Sequence, residues 1–482
     1  MTATHPALHG LLPFPRHVEM TAGEFVPSAF AHVVAPNDAP SLGVADHLVA
    51  DLQAVAGLHL SLAHTGSGHG DIELTLHPHR ADLGPEGYEL LVAPDGVAVV
   101  ATTAHGLWYG TRTFVQLITP GSVATVPAVH IIDVPRFEWR GAMLDVARHF
   151  FSVDHVTRFI ELIARYKLNR LHLHLSDDQG WRLEIPEWPA LTAIGGSTAA
   201  KGDQGGWFSL ADYAEIVAHA ERHFVTVVPE IDMPGHTNAA LASVPELNID
   251  DVAPPLYTGV EVGFSSLRLD RPATARFVRD VIATLAVNTP GPYLHIGGDE
   301  AHSTDHDEYL AFVELLQREV AQHGKRMVGW EEIAQAPLQR DTLVQHWLKA
   351  DTITAAPAGT RFIMSPARHT YLDMKHHPDD QLGRRWAGAI DLDAAYEWDP
   401  AALVPGVLDA QIVGVEAPLW TEKVRTFAEI EQLCFPRLVC LAEVGWTPQP
   451  ARRFDEFLVR VGEETRRLAA RGVHVHRSVL VT

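Results

Sequence analysis

The sequence predicts an α/β protein, a (β/α)8 barrel preceded by a small α+β unit. Three observations predict it. From about Phe137 onward, short apolar strands alternate with amphipathic helices, the pattern of a parallel sheet. Eight strand candidates can be picked out, and eight such units over this length of chain close into a barrel. Carboxylates and aromatic residues gather just after those strands, where a barrel of this kind places its chemistry. A doubly wound open sheet would want a glycine-rich phosphate loop after the first strand, and no such loop is present.

At 482 residues one compact core is too little, and the pattern divides the chain into residues 1–135 and 136–482. In the first part, Ala45 to Leu58 has helical periodicity through Leu48, Val49, Leu52 and Val55. Ile72 to Leu76 alternates like a half-buried strand. Tyr88–Val92 and Val97–Ala101 flank Ala93-Pro94-Asp95-Gly96, whose turn chemistry signals a hairpin, and Gly106 to Ile118 reads as a helix. No acid–base constellation occurs here, and His77 and His79 read as surface residues, so this unit is expected to be a structural partner. In the second part the strands are Ala142–Val146, Arg170–Leu175, Val225–Pro229, Tyr293–Ile296, Arg326–Gly329, Leu343–His346, Phe362–Met364 and Ile412–Val415. Helical runs lie between several of them: Val153–Lys167, Leu210–His223, Ala273–Leu285 and Glu308–Gln322. A last helix over Phe454–Arg471 closes the chain.

Composition narrows the function classes. A formal charge of -23 argues against nucleic acid and anionic membranes as partners. The two cysteines, Cys434 and Cys440, lie in one apolar run and read as buried free thiols. Met1 to Phe30 lacks a basic start followed by an apolar run, and no stretch is apolar and long enough to span a membrane. The expected location is therefore the cytoplasm. The oligomeric state is not legible.

The strand ends carry the signal. The fourth strand runs through His295-Ile296-Gly297-Gly298 into Asp299 and Glu300. Neighbours on a regular strand face opposite ways, so both carboxylates serve one pocket only if the glycines let the chain turn. The competing reading makes them the acidic lead into a helix near Ser303. Other strand ends add Asp177-Asp178, Glu230 to His236, Trp330-Glu331-Glu332, His346-Trp347, Tyr371 and Asp373, then Glu416, Trp420 and Glu422. Carboxylates, aromatics and few cations suit a neutral, hydroxyl-rich guest, such as a carbohydrate. His172 and His174 share one face of a strand, but a metal would want further ligands and only His236 and His346 offer themselves. No metal and no cofactor is expected.

Several long motifs, in order, resemble family 20 glycoside hydrolases, the β-N-acetylhexosaminidases. They are Trp139-Arg140-Gly141-Ala142-Met143-Leu144-Asp145-Val146-Ala147-Arg148-His149-Phe150, His172 to Arg182, Pro229 to His236, and His295 to Glu300. The resemblance implies an exo-acting, retaining enzyme that removes terminal β-linked N-acetylhexosamine from oligosaccharides or glycoconjugates. It implies Glu300 as general acid/base, Asp299 as the carboxylate that orients the 2-acetamido group, and Tyr371 as donor to the acetamido oxygen. Trp330, Trp347 and Trp420 resemble the aromatic walls of the sugar pocket. Arg140 and Glu422 resemble the pair that grips ring hydroxyls, with Asp373 as a further ligand. Asp177 and His236 resemble a support dyad, and Trp386 an aromatic platform for the leaving sugar.

The chemistry makes sense of that set. Glycoside cleavage passes through an oxocarbenium-like state and usually takes two side-chain carboxyls. Family 20 is a known exception, so substrate assistance is implied by the resemblance and not by the residues alone. When the acetamido oxygen is the nucleophile, the protein needs one acid/base and one anion beside the developing positive nitrogen. Neighbouring carboxyls should push their pKa values apart, with Glu300 protonated and Asp299 ionised. A same-fold glycosidase with two side-chain carboxylates, or a sugar-binding homologue without catalysis, are the alternatives.

Overall fold

A computed structural model describes residues 6–481 except 29, 69 and 119–123; the first five residues of the amino-terminal stretch read for a leader lie outside it. Eight parallel strands form a closed barrel: Trp139–Asp145, Arg170–His174, Thr226–Glu230, Tyr293–His295, Arg326–Trp330, Leu343–His346, Arg361–Met364 and Ile412–Leu419. The eighth pairs back onto the first in register from Gly414 with Trp139 to Leu419 with Leu144. Each predicted strand is present, with ends displaced by a few residues. The first and last are longer than their apolar runs because pairing, not hydropathy, ends them.

At the amino-terminal end the interior is plugged by a layer of Trp139, Val228, Tyr293, Val328, Leu343, Ile363 and Val413, all buried. That leaves the opposite end to hold polar side chains. The helices between strands bury their apolar stripes outward from the sheet, for example Val156, Phe159, Ile160 and Ile163 of Val153–Ala164. Cys434 and Cys440 are buried and unpaired with each other, as expected.

Before the barrel lies a seven-stranded mixed sheet, spanning His17–Phe25 to Val126–Asp133, backed by helices Ala39–Ala56 and Ala104–Leu117. The Ala93–Gly96 turn joins an antiparallel hairpin, as its chemistry predicts. Four of the seven strands, His17–Phe25, His32–Val34, Ser61–Ala63 and Val126–Asp133, were not predicted. Two are three residues long, and the nine-residue His17–Phe25 is mostly exposed, so none but the last offers a clear apolar alternation.

The seam between the two units is built from buried ion pairs. Lys167 Nζ lies 3.3 Å from Asp133, which also accepts from Tyr88 and Trp446. Arg140, expected to hold substrate, belongs to this seam. It sits at the start of the first barrel strand, is fully buried, and meets Glu86 with both terminal nitrogens at 2.9–3.0 Å. Its Nε donates to the Lys167 carbonyl, and Asn169 and Tyr109 complete the cluster. Burial would raise the Glu86 carboxyl, but Arg140 and Asn169 outweigh it and hold it down to about 2. Arg140 is thus at the wrong end of the barrel for the sugar clamp, and that assignment is corrected.

Candidate active site

The turn after the fourth strand has the form its glycines suggested. Gly297 and Gly298 have φ of 68° and 93°, and Glu300 itself sits at φ 45°, a conformation costly for a residue with a Cβ. A Cβ on Gly297 would lie 2.0 Å from the Asp232 carboxylate, so only glycine fits there. The helix that follows begins at His306, with Asp305 in the N-cap position, so the acidic pair is not its first turn. The fold therefore turns Asp299 and Glu300 toward one imidazole: His236 Nε2 is 3.6 Å from Asp299 Oδ2 and 3.5 Å from Glu300 Oε2.

Behind His236 lies Asp177, whose Oδ1 is 3.2 Å from its Nδ1. The other Asp177 oxygen meets Arg148 Nη2 at 2.6 Å and His174 at 3.1 Å. The Asp177 carboxyl is buried, yet Arg148 and His236 hold it well below the usual range. Burial opposes charge on His236 as well, but Asp177 and Asp299 outweigh it and push the imidazole well above its usual value. A cationic His236 thus stands between the two carboxylates.

Their ionisation differs from the expectation. Asp299 is raised, because it is buried and faces Glu300 and Glu230. Glu300 is only partly buried, which raises it, but the imidazole of His236 beside it, with Arg148 and His302 nearby, outweighs this and lowers it. The order is the reverse of an acid Glu300 beside an ionised Asp299: burial raises Asp299, and His236, a neighbour that sequence spacing does not reveal, lowers Glu300. Asp232, buried against Asp299, is itself pushed well above its usual value, while its hydrogen bond to Asp299 lowers that carboxyl and so opposes the order. Its Oδ1 also accepts the Gly298 N–H at 3.0 Å, which holds the turn.

The aromatic residues enclose the space in front of this group. Trp330 ends the fifth strand, and its indole donates to Glu230 at 2.9 Å. Trp347 follows the sixth strand; its indole donates to Glu332 at 3.2 Å, and its backbone N–H to Glu331. Tyr371 lies parallel to Trp347 at 6.3 Å and 6.2 Å from Trp420, which is 5.7 Å from Trp330. Trp386, 46% exposed, stands edge-on to Trp347 and Tyr371 at the rim. Beside Trp420 are Asp373 and Glu422, and Arg148 lies over the Trp420 ring at 4.7 Å. Glu422 accepts from Arg384 at 2.8 Å.

All the predicted site residues except Arg140 therefore sit at the carboxyl ends of the strands. Sequence alone places Glu230, Asp232 and Glu332 at strand ends without giving them a role, and gives no role to Arg148 or Arg384. The signal for Arg148 was at hand: it follows the carboxyl end of the first strand, whereas Arg140 precedes it. His172 and His174 are both engaged by carboxylates. His172 joins Glu416 and Glu230 at 2.7 and 2.9 Å, and His174 joins Glu230 and Asp177. Burial lowers both, but the carboxylates raise them to about 9 and about 10. His346 pairs with Glu331 at 2.6 Å.

Several polar atoms of this group are buried without a partner: Asp299 Oδ1, both Asp373 oxygens, Glu422 Oε2 and His236 Nε2. Buried polar groups are nearly always satisfied, so such a concentration marks where a ligand supplies the bonds. It calls for a ligand with several hydroxyl or amide donors against an aromatic wall.

Comparison with known proteins agrees. Residues 137–449 match the catalytic domain of glycosyl hydrolase family 20, and residues 8–134 match domain 2 of the same family. The chain is 41% identical over 460 residues to a β-N-acetylhexosaminidase of Cellulomonas fimi, covering 94% of this chain and 93% of that one. The GH20 β-N-acetylhexosaminidase of Streptomyces coelicolor A3(2) superposes with a TM-score of 0.95 at 44% identity, over 99% of both chains. A mutant Streptomyces plicatus β-hexosaminidase, in complex with its product GlcNAc, does so with 0.94 at 43% identity, over 99% of this chain and 98% of that one. The chain belongs to glycosyl hydrolase family 20.

Proposed function

We propose that the protein is an exo-acting, retaining β-N-acetylhexosaminidase that cleaves by substrate assistance. The observation that carries it is the pairing of a buried Asp299, with one oxygen free, and a partly exposed Glu300, both facing Nε2 of His236. The free Asp299 oxygen receives the acetamido N–H. Tyr371 donates to the acetamido oxygen, which attacks the anomeric carbon and forms an oxazolinium-type ring. Trp330, Trp347 and Trp420 exclude water and hold the attack geometry. Glu300 gives its proton to the leaving oxygen, then takes one from the water that opens the ring.

The reversed ionisation fits this cycle. Asp299 holds a proton more readily than Glu300 as the side chains stand. A sugar that covers Glu300 desolvates it, while the acetamido N–H favours the anion at Asp299. Binding thus favours the proton on Glu300 and the anion on Asp299, beside His236. The terminal sugar's hydroxyls meet Arg148, Asp373 and Glu422, and Trp386 receives the leaving sugar. The substrate is an oligosaccharide or glycoconjugate ending in β-linked N-acetylhexosamine. No described helix is long and apolar enough to cross a membrane. Initial rates on paired aryl β-glycosides test the function: the 2-acetamido sugar should be cleaved and the 2-hydroxy sugar barely touched. Equal rates would promote the two-carboxylate reading.

A further inference from the structure

The loop after the seventh strand brings Arg384 into the hydroxyl clamp. Spacing along the chain gives no hint of this, since Arg384 lies eleven residues beyond Asp373 in an irregular stretch. Two main-chain bonds pin it: the Arg384 N–H donates to the Asp373 carbonyl and the Lys375 N–H to the Arg384 carbonyl, both at 2.7 Å. Gly383, with φ of 100°, makes the approach possible, because a Cβ there would lie 2.9 Å from the Lys375 nitrogen. The guanidinium then reaches Glu422, whose side chain is 14% exposed. One Glu422 oxygen is thereby taken and the other left free, beside two free oxygens on Asp373.

We infer that Arg384 is the positioning residue of this clamp: it aims Glu422 at the terminal sugar and keeps two adjacent buried carboxylates from repelling each other. The inference rests on the reading of Asp373 and Glu422 as hydroxyl ligands. The charges around the pair support it. Burial and Glu422 push the Asp373 carboxyl well up, and Arg384 and Arg437 oppose that rise. Arg437 is buried and already gives its terminal nitrogens to the Leu372, Ile390 and Leu433 carbonyls. Arg148 serves Asp177 and Asp145. Arg384 is therefore the cation committed to Glu422. Without it, Glu422 faces Asp373 unopposed, and the two repel each other once the Asp373 carboxyl is ionised.

The same pinned stretch carries Trp386 two residues on, edge-on to Trp347 and Tyr371. The clamp on the terminal sugar and the wall for the leaving sugar are thus one mechanical unit.

The test compares wild type, Arg384→Gln and Arg384→Lys by KM and kcat on an aryl β-N-acetylglucosaminide from pH 5 to 8, with thermal melting as a fold control. Wild-type turnover checks the functional reading on its own. In Arg384→Gln, KM should rise by about tenfold or more at pH 8 and recover partly toward pH 5, with a smaller change in kcat. Arg384→Lys should abolish the pH trend while leaving KM intermediate, because the charge is restored but not the fork. A wild-type KM in Arg384→Gln across the range would overturn the inference. So would an equal, pH-independent rise in both variants, which a merely structural role predicts.

Discussion

Two arginines of the first barrel segment, Arg140 and Arg148, lie eight residues apart and do opposite work. Both are buried, and both meet carboxylates. At the Arg140 end the carboxylates are taken up within the protein: Glu86 by Arg140 and Asn169, Asp133 by Lys167, Tyr88 and Trp446. At the Arg148 end, free carboxylate oxygens remain on Asp299, Asp373 and Glu422. A saturated network is architecture; an unsaturated one, at the same burial, is a site waiting for donors. Saturation separates the two ends even where motif similarity does not.

The largest effects should come from the unsaturated end. Asp299→Asn should lower kcat/KM by about 10²–10³-fold on every leaving group, as loss of a preorganised charge does. Glu300→Gln should cost a disaccharide about 10²–10⁴-fold but an activated aryl glycoside far less, since only the poor leaving group needs a proton. Steady-state rates on the two substrates would check both, and equal losses in Glu300→Gln would remove its role as acid.

The two arginines come next. Arg148→Ala should lower kcat/KM by about 10²-fold, because it frees Asp177 from its partner and disturbs His236. Arg140→Ala should instead lower stability by about 3–5 kcal/mol, the cost of leaving one partner of a buried pair behind. Its kcat/KM per folded molecule should stay near wild type. Denaturant melts beside active-site-normalised rates would decide. A folded Arg140→Ala enzyme with kinetics as damaged as Arg148→Ala would restore Arg140 to the sugar clamp.

Smaller effects separate the ends by pH. Glu86, held to about 2 by Arg140 and Asn169 despite burial, contributes stability above the unfolded value near 4.5 that is lost as pH falls through about 2. The shift corresponds to about 3 kcal/mol. His172, held at about 9 by Glu416 and Glu230 despite burial, contributes stability in full below about 6.5, lost as pH rises through about 9. Melting against pH should therefore show an acid limb that Glu86→Gln flattens and an alkaline limb that it leaves alone. The smallest effect is at Trp386: its change to Ala should raise KM a few-fold for a disaccharide, a loss of about 1 kcal/mol, and leave an aryl substrate nearly unchanged.

Much of this was legible in the sequence. All eight barrel strands were visible because a buried parallel strand is an apolar run, and the acidic turn because Gly297-Gly298 marks a break. The short strands at Val33 and Leu62 were not, because three residues carry no period. At the site, residues in long motifs were legible, but charge partnership was not. Asp299 is buried, Glu300 meets His236 and Arg384 reaches Glu422 only through the fold. Arg140 was misread because a motif match outweighed its position at the wrong end of its strand.

Every role assigned at the site depends on Asp299 polarising a nucleophile that the substrate itself carries. That dependence can be read from kcat/KM for aryl 2-acylamido glycosides bearing acetyl, monofluoro-, difluoro- and trifluoroacetyl groups. Each fluorine weakens the amide oxygen as a nucleophile while barely changing its size. Substrate assistance predicts a steep, progressive fall in kcat/KM along the series, flattened in Asp299→Asn. A flat series in the wild type would mean that the amide oxygen does not attack, and would contradict substrate assistance.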